Sequence, residues 1–574
     1  MTDAVVPFTD SRRLTGPNLY FDHCGAVLES TAPPRPVEVA AWLRHVGKAR
    51  RRLGWPEAPV LVRAHAGGAA LAFAAPLDQL LTATEVNEWA WCAAREVHVL
   101  HAPGHPASWD EALAWHTLER LAAAERDPAF LALVATAETH GAALLWDDDG
   151  VSLGLGVSAR CWPRDALPDP AALDWSRFGR IPVALVTGSN GKTTSVRLLA
   201  ACCRAAGRCT AWNCTDGLYL DGAPIEAGDW SGPAGARAVL RHPEAQAAVL
   251  ETARGGILRR GLAFAEADVA LVTNISADHF GEYGIDDLDA LAEAKLVVAR
   301  GLRAGGTLVL NADDPVLSRH APADVRVAWF SLRGADACSS GDACWLADGQ
   351  LWLRCDGALA ALGAVADMPL SVNAAARYNI ANLAGAALAA AALGIGIDAI
   401  RQVLLRFGLR HEDNPGRLQR FSRNGIEVLV DYAHNPDGLR GLLEVAAALR
   451  SGAGRLGLVL GQAGNRSDDD VRALASVAAG FAPDFVVLKD LDGYLRGRQP
   501  GEVPALLREA LLAAGMAPPT IVTVLSEVDA ARTLLDWGRS GDVLVLPVHA
   551  LAAREAVLSL LSRSPPVAIT PPVR

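Results

Sequence analysis

No two of the ten cysteines stand in a CxxC pair, and they are scattered from Cys24 to Cys355 without the spacing of a zinc site or the density of a disulfide framework. Reduced thiols in the cytoplasm fit that usage best. Basic residues are also in short supply. The 53 Lys and Arg against 64 Asp and Glu give a formal net charge of −11, which argues against a general affinity for nucleic acid or an anionic membrane. A local basic pocket for phosphates stays compatible with that balance, and the expected partner is small. Long apolar runs are missing: the most apolar stretch, 383–397, is alanine-rich and short of a membrane span. The opening MTDAVVPFTDSRR has no apolar core behind a basic end, so neither a signal peptide nor a membrane helix is expected. There is no internal repeat.

What is present is apolar surface in quantity. Hydrophobic residues make up 51% of 574 positions, too many residues for one core and enough for several α/β domains. Residues 1–165 mix strand-like runs such as 60–62 with helical patterns around 109–125, and a Pro/Asp-rich stretch at 162–170 then breaks the periodicity as a linker would. From 166 to 410, short apolar runs at 181–187, 247–250, 269–272 and 307–310 alternate with helical patterns at 194–206 and 288–302. That is the signature of βαβ units on a parallel sheet. From 411 to 574, strands at 427–430, 456–460, 485–488 and 543–546 separated by helices predict a second, smaller, Rossmann-like α/β domain.

The strongest local signal is Gly188-Ser189-Asn190-Gly191-Lys192-Thr193-Thr194, placed between a predicted strand and a predicted helix. Successive backbone N–H groups at such a turn cradle phosphate oxygens, and the helix N-terminus favours negative charge. Lys192 can reach outer phosphates and Thr193 can ligate Mg²⁺. Only two residues separate Gly188 from Gly191, so the loop is shorter than GxxxxGK[ST].

VTGSNGKTT resembles the shortened phosphate loop of the Mur ligases and folylpolyglutamate synthetases, and further matches follow in chain order. Glu251 heads ETARGGILRRGL, TNISADHFG contains His279, Lys295 closes LAEAK, and LNADDP, NPGRL and DYAHNP come after. TDGLYLDG, ETARGGILRRGL and GYLRGRQPGEV are most similar to the Mur-like half of the cyanophycin synthetases. RRLTGPNLY and ATEVNEWAW resemble the N-terminal domain of that family, with no room between the two parts for its ATP-grasp domain.

The resemblance implies an ATP-dependent, ADP-forming ligase that activates an acceptor carboxylate as an acyl phosphate and joins it to an amino acid amine. It implies ATP and Mg²⁺, with Thr193, Glu251 and His279 as the metal shell and Lys192 on the phosphates. Lys295 stands where several Mur ligases carry a carbamylated lysine. Arg417 corresponds to the arginine that reaches the ATP phosphates, Asp431 to the carboxylate that binds ribose, and Asn379 and Asn382 to an asparagine pair near adenine, although Tyr378 replaces the histidine common there. His434 is expected to face the nucleotide or the substrate, or to cap a turn, and Arg466 lies in GQAGNRSDDD, an altered glycine-aspartate-arginine loop. A separate ATP-grasp ligase and a homo-oligomer are the further partners compatible with this pattern. The alternatives are a non-catalytic nucleotide-binding partner of such a ligase, or a P-loop kinase or plain NTPase. NPGRL and DYAHNP argue against the last. His98, His101 and His105 lack a matching carboxylate cluster and are expected in a solvated loop.

Overall fold

The computed structural model describes residues 6–99, 105–277, 280–338 and 341–562. The chain begins with a four-stranded antiparallel sheet, Phe8–Leu14, Gly25–Ser30, Gly68–Ala74 and Val60–His65 in spatial order. Helices Pro36–Leu53 and Leu80–Ala94 cover one face of it through Trp42, Val46, Val86 and Trp91. A small three-stranded sheet, Leu144–Trp146, Gly150–Leu153 and Arg160–Pro163, follows. Trp162, expected at the start of a linker, pairs here with Val151.

The centre is an eleven-stranded sheet. Its middle is parallel: Thr210–Cys214, Ala247–Glu251, Val183–Thr187, Ala267–Val272, Leu302–Asn311 and Arg326–Ser331 lie side by side. Strands buried on both faces read as continuous apolar runs, which is why four of these six were visible in the sequence; Thr210–Cys214 and Arg326–Ser331, whose runs are broken by polar residues, were not. Both edges depart from the expected parallel pattern. Gly217–Leu220 and Ala223–Ala227 form an antiparallel hairpin at one edge, and Ala343–Ala347, Gln350–Cys355 and Ala358–Ala364 form an antiparallel meander at the other. The helical pattern at 288–302 resolves into an α-helix, Leu288–Leu296, and a 3-10 turn, Val297–Gly301.

Side chains alternate across the central sheet. Ala184 and Val186 join the core under helices Lys192–Ala205 and Arg377–Ala392, while Val183 and Leu185 join the core under Arg254–Arg260 and Leu288–Leu296. The alanine-rich helix Arg377–Ala392 is buried along most of its length because its small residues permit close approach. A Cβ at Gly385 would lie 3.1 Å from the Phe330 ring. Among the described residues no helix is long and apolar enough to cross a membrane.

The third of the larger sheets, apart from the small three-stranded one, has six strands in the order Gln419–Arg423, Ile426–Asp431, Val543–Pro547, Leu456–Leu460, Phe485–Leu488 and Ile521–Thr523. All but the first are parallel to their neighbours. The C-terminal ends of its strands face those of the central sheet across a shared cavity.

Candidate active site

Ligands of open α/β sheets bind in the crevice beyond the carboxyl ends of the strands. Here the strand Val183–Thr187 ends on the Gly188–Gly191 turn, and the helix Lys192–Ala205 starts immediately after it. Gly191 adopts φ +83°, a left-handed conformation that L side chains rarely take, and a Cβ there would meet Asn382 Oδ1 at 2.2 Å. Thr273 and Asn274 hold the turn in shape: Ser189 N–H donates to Asn274 O at 2.9 Å, Asn190 N–H to Asn274 Oδ1 at 2.9 Å, and Thr273 Oγ1 to Asn190 O at 2.6 Å.

Two ammonium groups converge on this turn. Lys192 Nζ donates to Gly188 O and Ser189 O, both at 3.0 Å, and Lys295 Nζ donates to Gly188 O at 2.9 Å. Lys295 is only 3% exposed, so it is not a solvated lysine at a helix end. Glu251, the last residue of its strand, is 1% exposed and accepts from Thr193 Oγ1 at 2.9 Å and Thr215 Oγ1 at 2.8 Å. A buried carboxylate flanked by two hydroxyl oxygens is the hard oxygen donor set that suits Mg²⁺, so the residues present fit that ion. His279 and the preceding Asp278 lie outside the described residues, as does His101. His105 Nδ1 lies 2.8 Å from Glu85.

The third sheet supplies the opposite wall. Arg417 extends its guanidinium 4.3 Å from the centre of the Tyr432 ring and 3.6 Å from Asp216 Oδ2. Asp431 accepts from Leu418 N–H at 2.6 Å; burial raises its pKa, against the pull of Arg417 and several backbone N–H groups. Asn435 caps the helix Pro436–Leu449 with its Oδ1 and donates from Nδ2 to Asn190 Oδ1 at 3.0 Å, so the third sheet reaches the phosphate loop directly. Asn379 and Asn382 are buried and bonded to each other at 3.1 Å. Arg417, Asp431, Asn379 and Asn382, with Lys192, Glu251, Lys295, Ser189, Thr194, His434 and Arg466, line one cavity of about 650 Å³.

Several charged groups at or behind this cavity were not singled out as site residues in the sequence. Asp216 takes Arg197 at 2.7 Å and Arg554 at 2.5 Å as well as Arg417, and all are buried or nearly so. Burial alone would push its pKa up, but the three guanidiniums outweigh that and hold it well below the usual carboxylate range. Arg197 also donates to Asn414 Oδ1 at 3.2 Å and Pro415 O at 3.1 Å, tying the phosphate-loop helix to the start of the third region. TDGLYLDG contains Asp216 and was the available clue. Farther back, the buried Lys489 ammonium bonds Glu527 at 2.5 Å and the His549 Nδ1 at 3.2 Å. Burial and that ammonium push the His549 pKa down to about 4, so the ring is neutral, and its Nε2–H donates to Ala433 O at 3.0 Å. The cluster thereby braces the segment that carries Asp431 and His434.

Residues 186–391 match the Mur ligase middle domain, and residues 416–547 match the Mur ligase glutamate ligase domain. The cyanophycin synthetase of Geminocystis herdmanii is 36% identical over 394 residues, covering 66% of this chain and 44% of that protein. The chain thus spans less than half the length of that relative. The UDP-N-acetylmuramoyl-L-alanyl-D-glutamate–2,6-diaminopimelate ligase of Ectopseudomonas mendocina is 31% identical over 372 residues, covering 63% of this chain and 71% of the relative. Among solved structures, a pseudomurein peptide ligase type C from Methanothermus fervidus aligns with a TM-score of 0.46 at 17% identity, covering 67% of this chain and 82% of that one. With both domains matched in order and the sheets built as described, the chain belongs to the Mur ligase family.

Proposed function

We propose that the chain is an ATP-dependent, ADP-forming carboxylate–amine ligase. The observation that carries this is the convergence of the phosphate loop, the buried Glu251 and the third-region residues Arg417, Asp431 and His434 on one cavity. A plain NTPase or kinase needs the loop but has no use for that third wall.

In this proposal the loop N–H groups from Gly188 to Thr194, with Lys192 and Lys295, neutralise and orient the outer phosphates of ATP. Thr193 and Glu251, together with His279, would hold Mg²⁺, which supplies further neutralisation of phosphate charge when bound. Arg417 takes the phosphates from the opposite side, Asp431 the ribose hydroxyls, and Asn379 and Asn382 the region of the base. The acceptor carboxylate attacks the γ-phosphorus and ADP departs. The amine then attacks the acyl carbon, an amide forms, a proton is lost from nitrogen, and inorganic phosphate leaves.

The acceptor is proposed to be a peptide-like acid and the amine a free amino acid, since the Ectopseudomonas mendocina relative is by name a UDP-N-acetylmuramoyl-L-alanyl-D-glutamate–2,6-diaminopimelate ligase. A separate ATP-grasp ligase is the partner proposed to supply such an acceptor. Ten free thiols and dependence on ATP support a cytoplasmic setting.

The test is to incubate the purified chain with ATP, Mg²⁺ and a panel of amino acids with acidic peptides, following ADP, phosphate and product mass. Hydroxylamine added without the amine should trap the activated carboxylate. Release of AMP and pyrophosphate would indicate adenylation and overturn the mechanism.

A further inference from the structure

The first sheet packs against the central region, and one of its side chains bridges two separate segments there. Arg12, on the strand Phe8–Leu14, is 5% exposed. Its Nε donates to Leu258 O at 2.9 Å, on the helix Arg254–Arg260, and its guanidinium lies 4.4 Å from the centre of the Tyr283 ring. Glu29 at 2.8 Å and Asp10 at 2.7 Å orient it. Arg63, on Val60–His65, donates to Gly284 O at 2.7 Å, and the Ala66 N–H donates to Asp286 Oδ2 at 3.1 Å. Two further backbone bonds, Thr15 N–H to Arg260 O and Leu262 N–H to Pro17 O, both at 2.7 Å, fasten the end of the same helix.

These attachments meet at one pair on the cavity wall. Arg254 opens the helix that Arg12 holds at Leu258, Glu282 precedes the tyrosine that Arg12 covers, and Arg254 and Glu282 are joined at 2.6 Å. Both helix and segment pack on the sheet face opposite the asparagine pair: Ile257, Leu258 and Ile285 share one core, and Ile380 and Leu383 the other. With the phosphate loop between the two faces, a nucleotide whose base lies near Asn379 leaves the Arg254 side for the second substrate.

We propose that Arg12 is a positioning residue for the ligase reaction, locking the Arg254–Glu282 wall so that it receives the carboxylate-bearing acceptor. This rests on the ligase assignment above. The planar guanidinium fork serves several partners at once; an ammonium in its place keeps the charge beside Glu29 but cannot span them. Arg63 acts in the same direction through Gly284.

The experiment compares the full chain with Arg12→Lys and with Arg63→Gln, the second changing a more exposed side chain and sparing the buried pair. Hydrogen exchange should rise at 254–262 and 280–286 in both, with thermal unfolding close to the parent. With an aspartate oligopeptide as acceptor probe, its KM should rise roughly tenfold in Arg12→Lys, the size of one lost charged hydrogen bond, while the KM for ATP stays put. Unchanged exchange in both variants, or an ATP KM that rises as much as the peptide KM, overturns the proposal. If the parent chain makes no amide from ATP, the ligase assignment fails, and the exchange data still decide whether Arg12 holds the wall.

Discussion

Replacing Asp216 by asparagine should cost more stability than any other single isosteric change at the cavity. The carboxylate is 7% exposed and faces Arg197, Arg554 and Arg417, which come from the phosphate-loop helix, the helix Leu551–Ser562 and the segment before the third sheet. Removing one partner of a buried ion pair costs about 3–5 kcal/mol, because the remaining charge keeps its desolvation penalty without its compensation. Arg197 retains Asn414 and Pro415 as partners, which places the expected loss toward the lower end. The sign with pH follows from the depressed folded pKa. The contribution is complete above the unfolded value of about 3.9 and is lost as pH falls through the lower folded value. Urea unfolding of parent and Asp216→Asn should therefore differ by about 3 kcal/mol near neutrality, and the gap should narrow as the pH is taken below about 4. Adding Arg554→Met should recover part of the loss, since one stranded charge is then gone. Equal stabilities at neutral pH, or a gap that is the same in acid, would refute the assignment of Asp216 as the ionic centre joining the two regions.

The parts of the fold legible in the sequence are those whose physics is local. Parallel strands at 183–187, 247–251 and 267–272 are apolar on both faces, and the phosphate turn needs glycine at Gly188 and Gly191 for φ of +142° and +83°. The antiparallel edges were hidden because Ala223–Ala227 is exposed along its whole length and Ala358–Ala364 has small residues in place of β-branched ones. Lys295 could be placed in a helix but not inside the protein, since its partner Gly188 O lies 107 residues earlier. The same holds for Lys489: after the apolar strand Phe485–Leu488 it reads as a solvated strand end, and only the fold brings Glu527 and His549 to it. Asp216 is the extreme case, its arginines being spread from 197 to 554. Charges gathered over such distances leave no periodicity to read.

Lys192→Ala should lower ATP turnover by on the order of 10²–10³-fold with little change in melting, because the side chain bonds loop carbonyls and fills no core; unimpaired turnover in a folded variant would remove it from the site. Gly191→Ala should weaken nucleotide binding, measured by calorimetry, through backbone strain of about 1–2 kcal/mol and the collision with Asn382 Oδ1. Measured in an Asn382→Ala background, the same Gly191→Ala change should cost less affinity, because the collision is gone and the strain remains; an equal cost in both backgrounds, or no cost in the second, would contradict the geometry. Glu251→Gln tests the metal shell. The carboxylate already accepts from Thr193 and Thr215, and an amide can accept on its oxygen from only one side of that arrangement while its NH₂ meets the second hydroxyl as a donor. Those hydroxyls can turn to accommodate it, so folding should survive, and the loss should appear as a higher Mg²⁺ requirement. Titrating Mg²⁺ at saturating ATP separates the outcomes: a rightward shift in the metal curve supports Glu251 as a ligand, whereas a lower plateau with an unchanged midpoint would assign it to orienting Thr193 alone.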